Sequence, residues 1–279
     1  MTKKLKEIYN YGEIVNKIHS EFSFKKDVIS SEDFILLDDP RKKNTNPLDK
    51  NFEIIMLDVN RTCFRENQEN KRNSISNILK AIMIVNPALS YCQGMSYISA
   101  FIIEFIKDEE ESFYLMLGLF INTNYCEIFN NDLYKLKHYF LILDKVISLK
   151  EPEVQTYLIN TGINSSYYAS SWIITLFTNC LQNIIDYEEP KFILSIWDRF
   201  LIFGWRAVIN ACFALIKCYS NEILNLKFED LLGFLINDIT RTGFIQNKYS
   251  SIFLEYLNRS KISSEFFSSL DTICILEEH

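Results

Sequence analysis

Only 7 glycines and 5 prolines are spread over 279 residues, and this scarcity bounds the fold more tightly than any other feature of the chain. A β-sandwich or barrel turns about every 8–12 residues and draws on Gly and Pro to do so. Long helices with few connections are the architecture that remains. The apolar spacing agrees. Leu133, Leu136, Phe140, Leu143 and Ile147 step by three and four along one face, with Asn131 or Asp132 placed to cap it. Ser74 stands where an N-cap would open a helix bearing Ile75, Ile78, Leu79, Ile82 and Met83, which Asn86-Pro87 ends. Helices are likewise expected over 95–106, 111–121, 206–220, 228–239 and 244–258, with a short one from Pro152 to near Gly162. The stretch 171–181 is apolar nearly all round and reads as a central helix. Pro190 opens another that runs through Trp197 to Phe203 and stops at Gly204. No segment alternates as a strand does, and no fixed-period repeat appears. The expected class is all-α, a single multi-helix domain with no sheet.

Charge and composition exclude several functions. A net charge of −7 without a basic stripe speaks against nucleic-acid binding. Lys3, Lys4 and Lys6 are followed by Glu7 and no apolar run, unlike a secretory signal. The apolar stretch 193–219 carries Asp198, Arg199, Arg206 and Lys217, so it reads as buried helices and not as a membrane span. The chain is expected in the cytoplasm. Seven Cys without a C-x-x-C, and His19, His138 and His279 far apart, suggest neither a disulfide framework nor a metal site. Residues 1–50 read as an N-terminal helix (4–22) and a polar loop (37–50, with Pro40 and Pro47). The main body is expected over 51–258 and a weakly defined tail over 259–279.

Two short segments carry the chemistry. In Ile55-Met-Leu-Asp58-Val-Asn-Arg61, Asp58 and Arg61 share a helix face, so the carboxylate can orient the guanidinium and leave donors facing outward. Taken alone, a D-x-x-R is an ordinary surface ion pair worth a few tenths of a kcal/mol. In Tyr91-Cys92-Gln93-Gly94-Met95, Gly94 permits a positive φ, so the amide before it can stand against another molecule, with Tyr91 as an aromatic wall. Taken alone, that is a turn with a solvated Gln. Together the segments offer one cation and one amide. Those are the types that complete a GTPase site from outside, the Arg neutralising phosphoryl charge and the amide orienting water.

The pair resembles the signatures of the TBC domain family, GTPase-activating proteins for Rab GTPases: I-x-x-D-x-x-R at Ile55, Asp58 and Arg61, and Y-x-Q-G at Tyr91, Gln93 and Gly94. Thr62, Ser170-Ser171-Trp172 and the run Ile196-Trp197-Asp198-Arg199-Phe200-Leu201 ahead of Gly204 are also similar to the family's pattern. The likeness covers roughly residues 50–240. It implies a dual-finger mechanism in which Arg61 and Gln93 act in trans on a Rab in its GTP form. Asp58, Tyr91, Gly94 and Thr62 would support the fingers or touch the Rab. It implies no cofactor or independent catalysis of the chain's own, since GTP and Mg²⁺ belong to the partner, and no P-loop or dinucleotide fingerprint is present. Membrane contact, at endomembranes, would come only through the Rab. The sequence departs from the family before the Arg motif, where an Arg and a Trp are usual but the first are Arg41 and Trp172. A Pro usual after the finger is replaced by Cys63 and Phe64. Residues 1–50 are therefore read as a divergent or truncated start of the domain. A catalytically silent adaptor that holds a Rab or another partner stays open as the alternative, as does a purely structural scaffold.

Other candidates carry less. The run Asp108-Glu109-Glu110-Glu111 reads as a solvated turn capping the next helix. Trp172 and Trp197 read as core, and Asp198 as the partner in an internal bond. Ser165-Ser166 and Ser170-Ser171 lack the neighbouring His that nucleophilic catalysis would need.

Overall fold

The structure, a computed structural model, describes residues 6, 9–21, 47–62, 69–86, 89, 91–129, 133–183, 191–240, 247–259 and 262–277. Among these residues the regular structure is helical throughout, in agreement with the all-α expectation. The chain divides into two compact units, Met1–Phe129 and Asn130–His279.

The first unit holds α1 (Tyr11–Glu21), α2 (Pro47–Thr62), α3 (Glu69–Val85), α4 (Met95–Ile106), α5 (Glu109–Asn122) and a 3-10 turn, Tyr125–Phe129. Helix α3 is central and packs on α1, α2, α4 and α5. Its Ile75, Ile78, Leu79 and Ile82 are buried, as are Phe52, Ile55 and Val59 of α2, Met95, Ile98 and Ile102 of α4, and Phe113, Met116 and Phe120 of α5, the helices packed around it. Each such burial contributes about 1.5–3 kcal/mol, so packing and not intrinsic propensity holds these helices.

Four helix starts differ from expectation. The N-terminal helix expected over 4–22 is interrupted at residues 9 and 10, which are non-helical, and α1 begins at Tyr11. The polar loop expected through residue 50 gives way to helix at Pro47, where a missing N–H costs nothing in the first turn; residues 37–46 lie outside the described set. Ser74 sits inside α3, which begins at Glu69. Its first turn is secured by an ion pair from Lys71 to Glu104 of α4, a carboxylate that also takes Lys107 at 3.0 Å. Helix α5 starts two residues early because Asp108 caps it, accepting from the Glu111 N–H at 2.8 Å. The acidic run then fills the first turn, where the helix dipole favours carboxylates.

The second unit opens with α6 (Tyr134–Lys150), α7 (Pro152–Asn160), α8 (Ser165–Tyr168), α9 (Ser170–Ile174) and a 3-10 turn, Thr178–Asn183. It continues through α10 (Lys191–Phe203), α11 (Trp205–Cys218), α12 (Ser220–Asn225), α13 (Phe228–Gly233) with a π turn (Phe234–Asp238), α14 (Asn247–Arg259) and α15 (Ser264–Glu277). Helix α6 buries Leu136, Phe140, Leu143 and Ile147 as expected, but Leu133 is exposed, at φ 62 ahead of the helix. The caps proposed at Asn131 and Asp132 lie outside the described residues, as do Pro87, Pro190, Cys63 and His279.

The helix expected over 171–181 does not form as one. It breaks after Ile174, and Leu176 and Phe177 take φ values of 47° and 65°. Such a backbone costs a side-chain-bearing residue about 1–2 kcal/mol. Full burial of both side chains offsets that cost, aided by a bond from the Phe177 N–H to the Trp172 carbonyl (2.9 Å) and from Trp197 Nε1 to the Leu176 carbonyl (3.2 Å). Trp172 and Trp197 are both core residues, whereas Asp198 is exposed and has no internal bonding partner among the described residues. The segment read as a tail carries α15, which packs on α6 through buried Leu270 and Cys274 and a 2.7 Å contact between His138 Nε2 and Asp271.

Candidate functional site

Asp58 lies one turn before the end of α2 and is 1% exposed. Its Oδ2 accepts from the Tyr91 hydroxyl at 2.5 Å, the Gly94 N–H at 3.2 Å and the Ser96 hydroxyl at 2.7 Å. Its Oδ1 faces Arg61 Nη2 at 3.5 Å. A buried carboxylate costs several kcal/mol to desolvate, and only a full complement of donors offsets that. Asp58 and Arg61 are therefore not the surface pair that a lone D-x-x-R describes. The anion is interior; the guanidinium side chain, 50% exposed, reaches out from it.

Gln93 is exposed in the turn that leads into α4. The turn is closed by the Met95 N–H on the Cys92 carbonyl at 3.2 Å, and Gly94 adopts φ 108°, a value that disfavours any side chain. Both flanks of Gln93 are tied down. Before it, the Tyr91 N–H donates to Asn51 Oδ1 at 3.2 Å and the Tyr91 hydroxyl to Asp58; after it, the Gly94 N–H donates to the same Asp58 oxygen. Tyr91 is buried, so its ring anchors the turn from within while its polar tip bonds Asp58. Burial first, and then the Asp58 charge, hold its hydroxyl well above the usual phenol range, so it remains a donor. The same two causes push the neighbouring Cys92 thiol up to about 11. Thr62 is fully buried and donates to the Asp58 carbonyl at 2.8 Å.

One carboxylate thus binds the last turn of α2, which bears the cation, to the first turn of α4, before which the amide stands. All six residues singled out from the sequence (Asp58, Arg61, Thr62, Tyr91, Gln93 and Gly94) gather here. Sequence reasoning missed Asn51 and Ser96. A hydroxyl opening the otherwise apolar run Met95-Ser96-Tyr97-Ile98 was the available signal for Ser96; nothing local marked Asn51. Among the described residues, no group of three or more His, Cys, Asp or Glu is gathered to hold a metal ion, and no helix is long and apolar enough to cross a membrane.

Residues 26–224 match the RabGAP-TBC family, the Rab-GTPase-TBC domain, and the chain belongs to that family. It is 32% identical over 184 residues to the GTPase-activating protein GYP5 of Eremothecium gossypii, covering 65% of this chain and 21% of that protein. It is 29% identical over 204 residues to growth hormone-regulated TBC protein 1 of Xenopus laevis, covering 70% of this chain and 57% of that protein. The chain therefore spans about a fifth of the length of the first relative and just over half of the second. In fold it is similar to the Chlamydomonas flagellar RabGAP TBC domain, with a TM-score of 0.66 at 16% identity, over 92% of this chain and 74% of that one. It is also similar to the Ypt/Rab-GAP domain of Gyp1p, with a TM-score of 0.64 at 14% identity, over 90% and 78%.

Proposed function

We propose that this chain accelerates GTP hydrolysis on a Rab-family GTPase in its GTP form, supplying Arg61 and Gln93 in trans. The observation that carries the reading is the shared Asp58 carboxylate. It orients the guanidinium from one side and fixes the turn bearing the amide from the other. Arg61 stabilises the charge that develops on the γ-phosphoryl oxygens, and Gln93 orients the attacking water. Both are set before the partner arrives, so little reorganisation is needed at the moment of reaction. A trans-acting Arg is worth about 10³–10⁵ in rate. The nucleotide and its Mg²⁺ are the partner's. The chain would work in the cytoplasm and meet endomembranes only where its Rab is anchored.

The test is phosphate release from a panel of GTP-loaded Rab GTPases, with and without this protein, beside Arg61→Ala and Gln93→Ala. Acceleration of one or a few Rabs that both substitutions abolish is the expected result. GTP-dependent binding with no acceleration on any Rab would replace the enzyme reading with an adaptor.

A further inference from the structure

We infer that Ser96 is a positioning residue that locks both fingers through one hydroxyl; the inference rests on the dual-finger reading above. Ser96 is completely buried in the first turn of α4. A carboxylate only accepts, so the Ser96 proton goes to Asp58 Oδ2 at 2.7 Å. Its oxygen is then left as an acceptor, and it lies 2.7 Å from Thr62 Oγ1. Thr62 has one proton to offer, and it is divided between Ser96 and the Asp58 carbonyl 2.8 Å away. The same Asp58 oxygen also takes the Tyr91 hydroxyl at 2.5 Å, so Ser96 and Tyr91 meet on one acceptor. Ser96 therefore bonds the carboxylate that orients Arg61 and the residue next to Arg61, and it shares that carboxylate oxygen with the tyrosine two residues before Gln93. No other hydroxyl among the described residues joins these three partners.

The fold supplies its own control. Ser99 lies one turn further along α4, is equally buried, and its hydroxyl has no hydrogen-bond partner among the described residues. Ser→Ala at 96 and at 99 removes the same atom from the same helix, but only the first removes a bond to the finger network.

Ser96→Ala should lower the maximal stimulated rate of GTP hydrolysis about 10- to 100-fold, since a misplaced reacting group costs up to that much. The KM for the GTP-loaded Rab should stay within about twofold, because the bond acts on finger placement and not on partner binding. Ser99→Ala should match the parent protein. Ser96→Cys, which keeps a weaker donor, should fall between and serves if Ser96→Ala does not fold. Full rate in Ser96→Ala, or equal losses at 96 and 99, would overturn the inference. A rise in KM without loss of maximal rate would do the same. Amide hydrogen exchange on the free proteins separates this from the function itself. If the parent accelerates no Rab, the dual-finger reading falls, yet Ser96→Ala must still speed exchange at residues 58–62 and 92–95 more than Ser99→Ala does. Identical exchange in the two variants would refute the lock.

Discussion

Replacing Asp58 with Ala should destabilise the first unit by about 3 kcal/mol. The substitution strips the acceptor from three buried donors: the Tyr91 hydroxyl, the Gly94 N–H and the Ser96 hydroxyl. A donor left unsatisfied in the interior costs about 1–3 kcal/mol. The Tyr91 and Ser96 hydroxyls bond the same Asp58 oxygen, so they can turn toward each other once it is gone, which recovers part of the loss, and the desolvation cost of the carboxylate disappears with it. The remainder is near the low end of the ~3–5 kcal/mol seen when one member of a buried charged pair is removed. Asp58→Asn keeps an oxygen that accepts, and should cost about half as much. The choice of probe matters. Trp172, Trp197 and Trp205 all lie in the second unit, so tryptophan fluorescence does not report on the unit that Asp58 holds. Native-state hydrogen exchange at the slowest amides of α2, α3 and α4 reads the first unit directly. A loss below about 1 kcal/mol there would refute the argument, since three orphaned donors cannot cost so little.

Arg61→Ala should reduce stimulated hydrolysis by about 10³-fold or more while costing only about 1 kcal/mol of stability, because the side chain is half exposed and Asp58 keeps the three donors on its other oxygen; phosphate release and thermal melts check the two parts. Gln93→Ala should behave alike in stability and lose most of the stimulation, being an exposed turn residue. Gly94→Ala forces a side chain onto φ 108° and should cost about 1–3 kcal/mol in the first unit, read by the same exchange experiment; an unchanged protein would mean the turn is not strained. Lys80 is buried between α2 and α3 above the Phe52 ring, and burial lowers its ammonium to about 8. Between about pH 8 and 10.5 the unfolded chain therefore binds more protons at this residue than the folded one, so its penalty shrinks as pH rises. Lys80→Met should thus be more stable than the parent at pH 7, by a margin that narrows toward pH 10; a margin independent of pH would refute this.

Much of the fold was legible locally because helical amphipathicity is local. Side chains three and four apart share a face whatever lies beyond it, so α4, α5, α6 and α10 could be placed to within a few residues. The failures share one cause. Leu176 and Phe177 carry no sequence mark of a left-handed backbone; that conformation holds because Trp197, twenty residues on, binds the Leu176 carbonyl. Helix α3 starts before its apparent cap because Glu104 on another helix receives Lys71. Helix α15 was hidden because its apolar residues do not gather on one face, and it emerges where Leu270, Cys274 and Asp271 meet α6.

The candidate site divides in the same way. The sequence by itself determined which groups are on offer: a cation at 61, an amide at 93, a glycine able to turn after it, and a carboxylate three residues before the cation. These are properties of side chains at fixed spacing, and no neighbour alters them. Only the tertiary structure decided that Asp58 is interior, that Tyr91 anchors it from a buried position, and that Ser96 completes the network. Burial is a property of packed helices, and it converts a weak surface pair into a carboxylate that must keep every donor around it. That necessity holds Arg61 and the turn bearing Gln93 in place.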